Sequence, residues 1–136
     1  MNPSERFFDT NVLLYLISAD AAKSSAAEAL LIRGGVISVQ VLNEFASVAS
    51  RKSKMAYTEI QDVLSVVRHF CRIEPLTLET HDLGLAYFGR FGYSIYDAMI
   101  LAAATLADCD ELLSEDLHAD QAISGDLVIR NPFTAS

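Results

Sequence analysis

The sequence predicts an α/β fold, a three-layer α/β/α sandwich built on a mainly parallel central sheet. Short apolar runs of strand type alternate with longer segments of helical period along the chain, and strands joined through helices form parallel sheets covered on both faces. No repeat, low-complexity tract or linker interrupts the alternation. With 136 residues, 51% of them hydrophobic, there is material for one core, so residues 1–136 are expected to form a single domain.

Each element has a local reason. Arg6-Phe7-Phe8 is short and aromatic and runs into the polar Asp9-Thr10-Asn11, the pattern of a buried strand ending in a turn. Val12, Leu13, Tyr15, Leu16 and Ile17 predict a helix, and a second, from about Lys23 to Ile32, stops at Gly34-Gly35. Val36-Ile37-Ser38 reads as a strand whose serine caps a helix with Val39, Leu42, Ala46 and Ala49 at helical spacing, ending near Arg51-Lys52. Ile60, Val63, Leu64, Val67 and Phe70 make the stretch from Tyr57 to Phe70 an amphipathic helix. A strand over Arg72 to Leu76 follows, then a helix opened by Thr80 and broken at Gly92. Tyr96-Asp97 begins the most apolar helix, Ala98 to Ala104, which is expected to be buried on nearly all faces. Glu111 to Ser114 predicts a strand, Glu115-Asp116 a turn, and Leu127 to Ile129 a last strand.

Composition excludes several classes. Cys71 and Cys109 stand alone in apolar contexts without Cys-x-x-Cys spacing, which reads as buried free thiols rather than a bridge or zinc site. The start of the chain lacks the basic and apolar regions of a signal peptide, and no apolar run approaches the roughly 20 residues of a membrane span, so a soluble cytoplasmic protein is expected. A formal charge of -8 argues against a protein that coats nucleic acid through a broadly basic face. That argument weakens if the acids gather round a cation, which inverts the local charge seen by a phosphate. Between Arg90 and Arg130 there is no Lys or Arg, while eight acids fall there, and this suggests such a gathering.

In open parallel sheets, ligands bind outside the carboxyl ends of the strands, and Asp9 and Asp116 both stand just past predicted strand ends. Asp97 lies in the first turn of an otherwise almost uncharged helix, where simple dipole stabilisation is the plain alternative. Glu44 shares a face with Gln40, Val48 and Arg51, so solvation or pairing with Arg51 is its plain alternative. Carboxylates within about 4 Å of each other repel by roughly 4 kcal/mol per pair at an effective dielectric of 20, and only a cation or proton makes that tolerable. Ligands that are all oxygen suit a hard ion such as Mg²⁺ or Mn²⁺.

These segments resemble a known family. Asp9-Thr10-Asn11-Val12-Leu13-Leu14-Tyr15 resembles the opening motif of PIN-domain nucleases, and Ser38-Val39-Gln40-Val41-Leu42-Asn43-Glu44 their strand-to-helix segment with its acid. The stretch from Tyr96 to Ala104 is similar to their third acidic helix, and Leu113-Ser114-Glu115-Asp116-Leu117 to their S/T-x-D turn. At this length, without an extra domain, the resemblance is to VapC-type toxins of bacterial toxin–antitoxin pairs. It implies a PIN-like fold and a metal-dependent endoribonuclease in which Asp9 and Asp97 hold the principal Mg²⁺ or Mn²⁺ ion, with Glu44 and Asp116 completing the pocket. It also implies an RNA substrate, a homodimer, and a small antitoxin whose tail occupies the groove near the early helices and the acidic pocket.

Thr10, Asn11 and Ser114 suit a supporting role beside these acids, orienting carboxylates or substrate, with turn and cap formation as the alternative. Glu115 or Asp120 remains open as a replacement for Asp116. Arg51-Lys52-Ser53-Lys54 is the densest basic cluster and a candidate for phosphate contacts, unless it only complements a helix dipole. His69, His81 and His118 show no metal-ligand spacing. A haloacid-dehalogenase-type phosphatase needs a second Asp two residues after the first, where Asn11 stands, and a receiver domain needs an acidic pair after strand one and a strand-end lysine, neither of which is visible. A catalytically inactive PIN-like module that binds a protein partner stays open.

Overall fold

A computed structural model describes residues 5–133. Its elements, in chain order, are β1 (Arg6–Phe8), α1 (Thr10–Leu14), a 3-10 turn (Tyr15–Ile17), α2 (Ala21–Arg33), β2 (Gly35–Ser38), α3 (Val39–Arg51), α4 (Tyr57–Phe70), β3 (Cys71–Glu74), α5 (Leu78–Phe91), α6 (Ile95–Leu106), β4 (Glu111–Leu113), β5 (Ala122–Ser124) and β6 (Leu127–Arg130). The strands form one sheet in the order β3-β2-β1-β4-β6-β5, and every pairing is parallel except β5 with β6. This is the expected α/β sandwich.

The strand order fixes where a site can form. From β1 the chain steps outward through β2 to β3, then returns to place β4 on the other side of β1. The carboxyl ends of β1 and β4 therefore flank a topological switch point, where crossovers diverge and leave a crevice. Phe8 pairs with Leu113 in register, so Asp9 and Ser114 leave the sheet side by side. Phe7, Phe8, Val36, Ile37 and Leu112 have no exposed surface, as strands buried on both faces require.

Short polar side chains set the starts of α2, α3, α5 and α6. Asp20 accepts from Ala22 N and Lys23 N, and Ser38 accepts from Val41 N, so α3 begins directly at the end of β2. The helix expected to open at Thr80 begins earlier, because Thr77 is the cap and its hydroxyl accepts from Thr80 N. Thr80 sits buried in the first turn instead. The strand expected over Arg72 to Leu76 is Cys71–Glu74.

Two close approaches demand glycine. A Cβ on Gly35 would lie 2.7 Å from the Phe8 ring and 2.8 Å from the Arg6 carbonyl oxygen. At Gly84 a Cβ would meet Met99 Sδ at 2.4 Å and Met99 Cα at 3.2 Å, so the glycine lets α5 lie against α6 and seats the helix that carries Asp97. As expected, α6 is almost wholly apolar and buried from Ile100 to Ala104. Cys71 and Cys109 are buried free thiols, and burial pushes them up to about 11 and about 12.

Candidate active site

Asp9 ends β1 and caps α1, and it is only 5% exposed. Its Oδ1 accepts from Thr10 N at 2.7 Å and its Oδ2 from Ser114 Oγ at 2.8 Å. Burial raises its pKa to about 6; the hydrogen bonds from Ser114 and Thr10 oppose the rise, and the charges of Asp97 and Glu44 add to it. A carboxyl group held in this way gains from any cation that reaches it.

The other acids are set by neighbouring elements. Glu44, half-buried on α3, accepts from Thr10 Oγ1 at 2.6 Å and from Gln40 Nε2 at 3.3 Å. Gln40 Nε2 also donates to the Tyr96 carbonyl at 2.9 Å, tying α3 to the start of α6. Asp97 stands in the first turn of α6, where Ser94 Oγ accepts from its backbone N–H at 3.1 Å. Burial raises the Asp97 pKa, the Ser94 hydrogen bond lowers it, and the charge of Asp116 raises it further. Asp116 follows β4 in a tight turn in which Ser114 Oγ accepts from Asp116 N and Leu117 N. Asn11 Nδ2 donates to Asp116 Oδ2 at 3.1 Å and to Ser114 Oγ at 3.2 Å.

Asp9, Glu44, Asp97 and Asp116 thus line one cavity of about 320 Å³, whose wall also includes Ser47 and Arg51. The supporting roles suggested for Thr10, Asn11 and Ser114 have concrete form: Thr10 holds Glu44, Asn11 holds Asp116, and Ser114 holds Asp9.

Three readings are corrected. Glu44 pairs with Thr10 and Gln40 rather than Arg51, whose Nε donates to Ser47 Oγ at 3.2 Å. Neither Glu115 nor Asp120 faces the cavity in place of Asp116, because Glu115 pairs with Tyr15 and Lys23, and Asp120 with Arg130. The acid-rich stretch between Arg90 and Arg130 is not gathered at one site, since Glu111 and Asp120 both reach Arg130 and only Asp97 and Asp116 line the cavity. Within the basic cluster, Arg51 alone reaches the cavity, while Lys52 and Lys54 are exposed beyond it. Sequence reasoning missed Ser47, which is three residues from Glu44 and so on its face. It also missed the attachment of Tyr15 and Lys23 to Glu115, because contacts across some 90 to 100 residues leave no spacing pattern.

Among the described residues, no three carboxylate, imidazole or thiol groups are already drawn together as a metal cage. The donor chemistry still fits a hard divalent ion. All four acids offer oxygen, one of them has its pKa raised by burial and further by the charges of Asp97 and Glu44, and Mg²⁺ is commonly held by one or two carboxylates while keeping several waters.

Residues 6–123 match the sequence pattern of the PIN domain. The chain belongs to the PIN domain family. No curated protein matches it by sequence. Among solved structures, this PIN domain is similar to a toxin–antitoxin complex from Klebsiella pneumoniae, with 23% identity, a TM-score of 0.72, and 96% of this chain and 100% of the other covered. It is also similar to the sarcin-ricin loop cleaving toxin VapC20 of Mycobacterium tuberculosis, with 19% identity, a TM-score of 0.65, and 79% and 87% covered. A third likeness is to VapBC2 of Rickettsia felis bound to a promoter DNA fragment, with 19% identity, a TM-score of 0.65, and 93% and 97% covered. At these identities the likeness establishes that this PIN domain shares their fold. Its four acids project from the carboxyl edge of that fold, on elements as different as a strand end, two helices and a turn.

Proposed function

We propose that the chain is a single nuclease domain, a metal-dependent endoribonuclease acting as the toxin of a cytoplasmic toxin–antitoxin pair. One observation carries the reading: a buried carboxylate at the switch point of the sheet shares one small cavity with three further acids. Asp9 and Asp97 would hold Mg²⁺ or Mn²⁺, with Glu44 and Asp116 completing the pocket. When bound, the ion supplies charge stabilisation at a phosphate oxygen and a water of lowered pKa. The protein's own part is orientation. Ser114 and the Thr10 amide fix the Asp9 carboxylate, Thr10 and Gln40 fix Glu44, and Asn11 fixes Asp116, so little reorganisation is left for the moment of reaction.

Partners follow the same reading. The structural neighbours include toxin–antitoxin complexes, and between the 3-10 turn, α2 and α4 lies an apolar groove of about 350 Å³ flanked by the exposed Ile32 and Val66. Such a groove suits the tail of a small antitoxin near the early helices. On α5, Leu78, Leu85 and Phe88 are exposed on one face, an apolar stripe that supports a homodimer.

The direct test is cleavage of candidate RNAs by purified protein, with the product ends mapped. Cutting is expected with magnesium or manganese and none after chelation. Cutting that survives chelation would remove the metal from the reading, and a protein that binds antitoxin but cuts no RNA would be a binding module.

Recognition of the RNA backbone is assigned to Arg51 on the cavity wall, with Lys52 as a weaker contributor. With a catalytically dead variant, RNA binding should weaken as salt rises, and Arg51→Ala should reduce the slope of log affinity against log salt by about one contact. Lys52→Ala should reduce it less. An unchanged slope in both variants would return these side chains to the role of helix-end charges.

A further inference from the structure

Glu115 and Asp116 are adjacent acids on one turn, yet only Asp116 lines the cavity. We propose that Tyr15, Lys23 and Glu115 form a clamp of positioning residues that turns Glu115 away and presents Asp116 to the metal pocket. The proposal rests on the metal-dependent reading above.

The clamp grips the turn at two levels of the same helical stretch. At the first level, Asn11 Oδ1 accepts from Glu115 N at 3.2 Å while Asn11 Nδ2 donates to Asp116 Oδ2 at 3.1 Å. One helical turn further on, Tyr15 OH donates to Glu115 Oε1 at 2.7 Å. Lys23 Nζ closes the set from α2, 2.9 Å from Tyr15 OH and 3.2 Å from Glu115 Oε2, and lies 4.5 Å from the centre of the Tyr15 ring. Phe133 packs edge-on against that ring, with centroids 4.7 Å apart, so the tyrosine also has an aromatic brace.

Neither Tyr15 nor Lys23 lines the acidic cavity, so any influence they have on an ion must pass through the turn. Glu115 has the longer side chain and sits one residue from Asp116. Unclamped, it would be free to leave its present place, and the turn would lose its anchors to the 3-10 turn and α2, keeping only the hydrogen bonds of Asn11 on α1. A lone exposed ion pair contributes little to stability. Here the pair is joined by a tyrosine hydroxyl and a ring face, and the value of the group lies in geometry. Loss of a partner that orients a metal ligand commonly weakens metal binding by about 10- to 100-fold.

The test is Mn²⁺ binding to the full-length, RNA-free protein, measured by calorimetry and by the paramagnetic signal of free Mn²⁺. Tyr15→Phe keeps the ring against Phe133 and removes only the hydroxyl, and Lys23→Met removes the cation at a side chain 36% exposed, where folding is not at stake. Each should weaken Mn²⁺ binding by about tenfold, and Lys23→Arg should restore most of the loss. In an Asp116→Asn background the same changes should have less than about a twofold further effect, because the ligand they position is gone. Wild-type affinity in both clamp variants overturns the proposal, as does an equal loss with and without Asp116, which would mark a general structural role. If wild type and Asp9→Asn alike bind no Mn²⁺, the metal-dependent reading fails and the clamp falls with it. If wild type binds, Asp9→Asn does not, and the clamp variants match wild type, the clamp alone is overturned.

Discussion

Asp97→Asn should lower metal-dependent RNA cleavage by at least about a hundredfold, equivalent to about 2.7 kcal/mol of barrier, while barely moving the melting temperature of the metal-free protein. The two halves of that expectation have different structural origins. The start of α6 is secured by the main chain, through the Asp97 N–H donated to Ser94 Oγ, and the substitution leaves that bond in place. The apolar packing of Ala98, Ile100 and Leu101 is untouched. What changes is the half-buried carboxylate, which shares the cavity with Asp9 and feels the charge of Asp116. An amide of the same shape carries no charge to hold an ion, so loss of activity with an intact fold separates chemistry from scaffolding. The measurement is single-turnover cleavage at saturating magnesium, paired with thermal melting of the same proteins without metal. Cleavage at the wild-type rate would mean that Asp97 is not a ligand.

Three of the acids were readable in the sequence because each sits at a punctuation mark of the fold: Asp9 at a strand end, Asp97 in a helix first turn, Asp116 in a turn after the strand that ends in Leu112-Leu113. Such positions are fixed by local chain chemistry, and a parallel sheet brings strand ends to one edge. Glu44 depended on helical periodicity alone, which showed its face but not its partners, since Thr10 lies 34 residues away. The charge run between Arg90 and Arg130 misled for a related reason. Counting along the chain cannot reveal that Lys23 and Arg130 return in space to neutralise Glu115, Glu111 and Asp120. The strand β5 went unread because it has three residues, only Ile123 of them buried, and pairs antiparallel at the sheet edge with an irregular register. A three-residue edge strand has too little alternation to stand out from the loop around it.

Asp9→Asn should change stability in opposite directions depending on pH and metal, and the pattern identifies Asp9 as a buried ligand without reference to any substrate. The folded-state pKa of Asp9 is about 6, above the roughly 3.9 of an unfolded aspartate, so the proton favours the folded chain. Its contribution is fully present below pH of about 4 and is lost as pH rises through about 6, a penalty of about 3 kcal/mol at neutral pH. Asparagine cannot ionise, so the variant escapes this penalty. It has a single carbonyl oxygen, however, and cannot accept from both Thr10 N and Ser114 Oγ, which costs about 1–2 kcal/mol. Without metal, the variant should therefore melt above wild type at pH 7.5, and the advantage should shrink by about 2 kcal/mol, or vanish, at pH 4.5. Metal reverses the order at neutral pH. At a free Mn²⁺ concentration about a hundred times the dissociation constant, wild type gains about 2.7 kcal/mol by mass action, whereas a variant without the ligand gains little. Melting is followed at constant ionic strength, so that general screening does not imitate binding. Equal metal responses from the two proteins, or a stability difference that does not move with pH, would remove Asp9 from the pocket's chemistry and leave Ser114 holding only a helix cap.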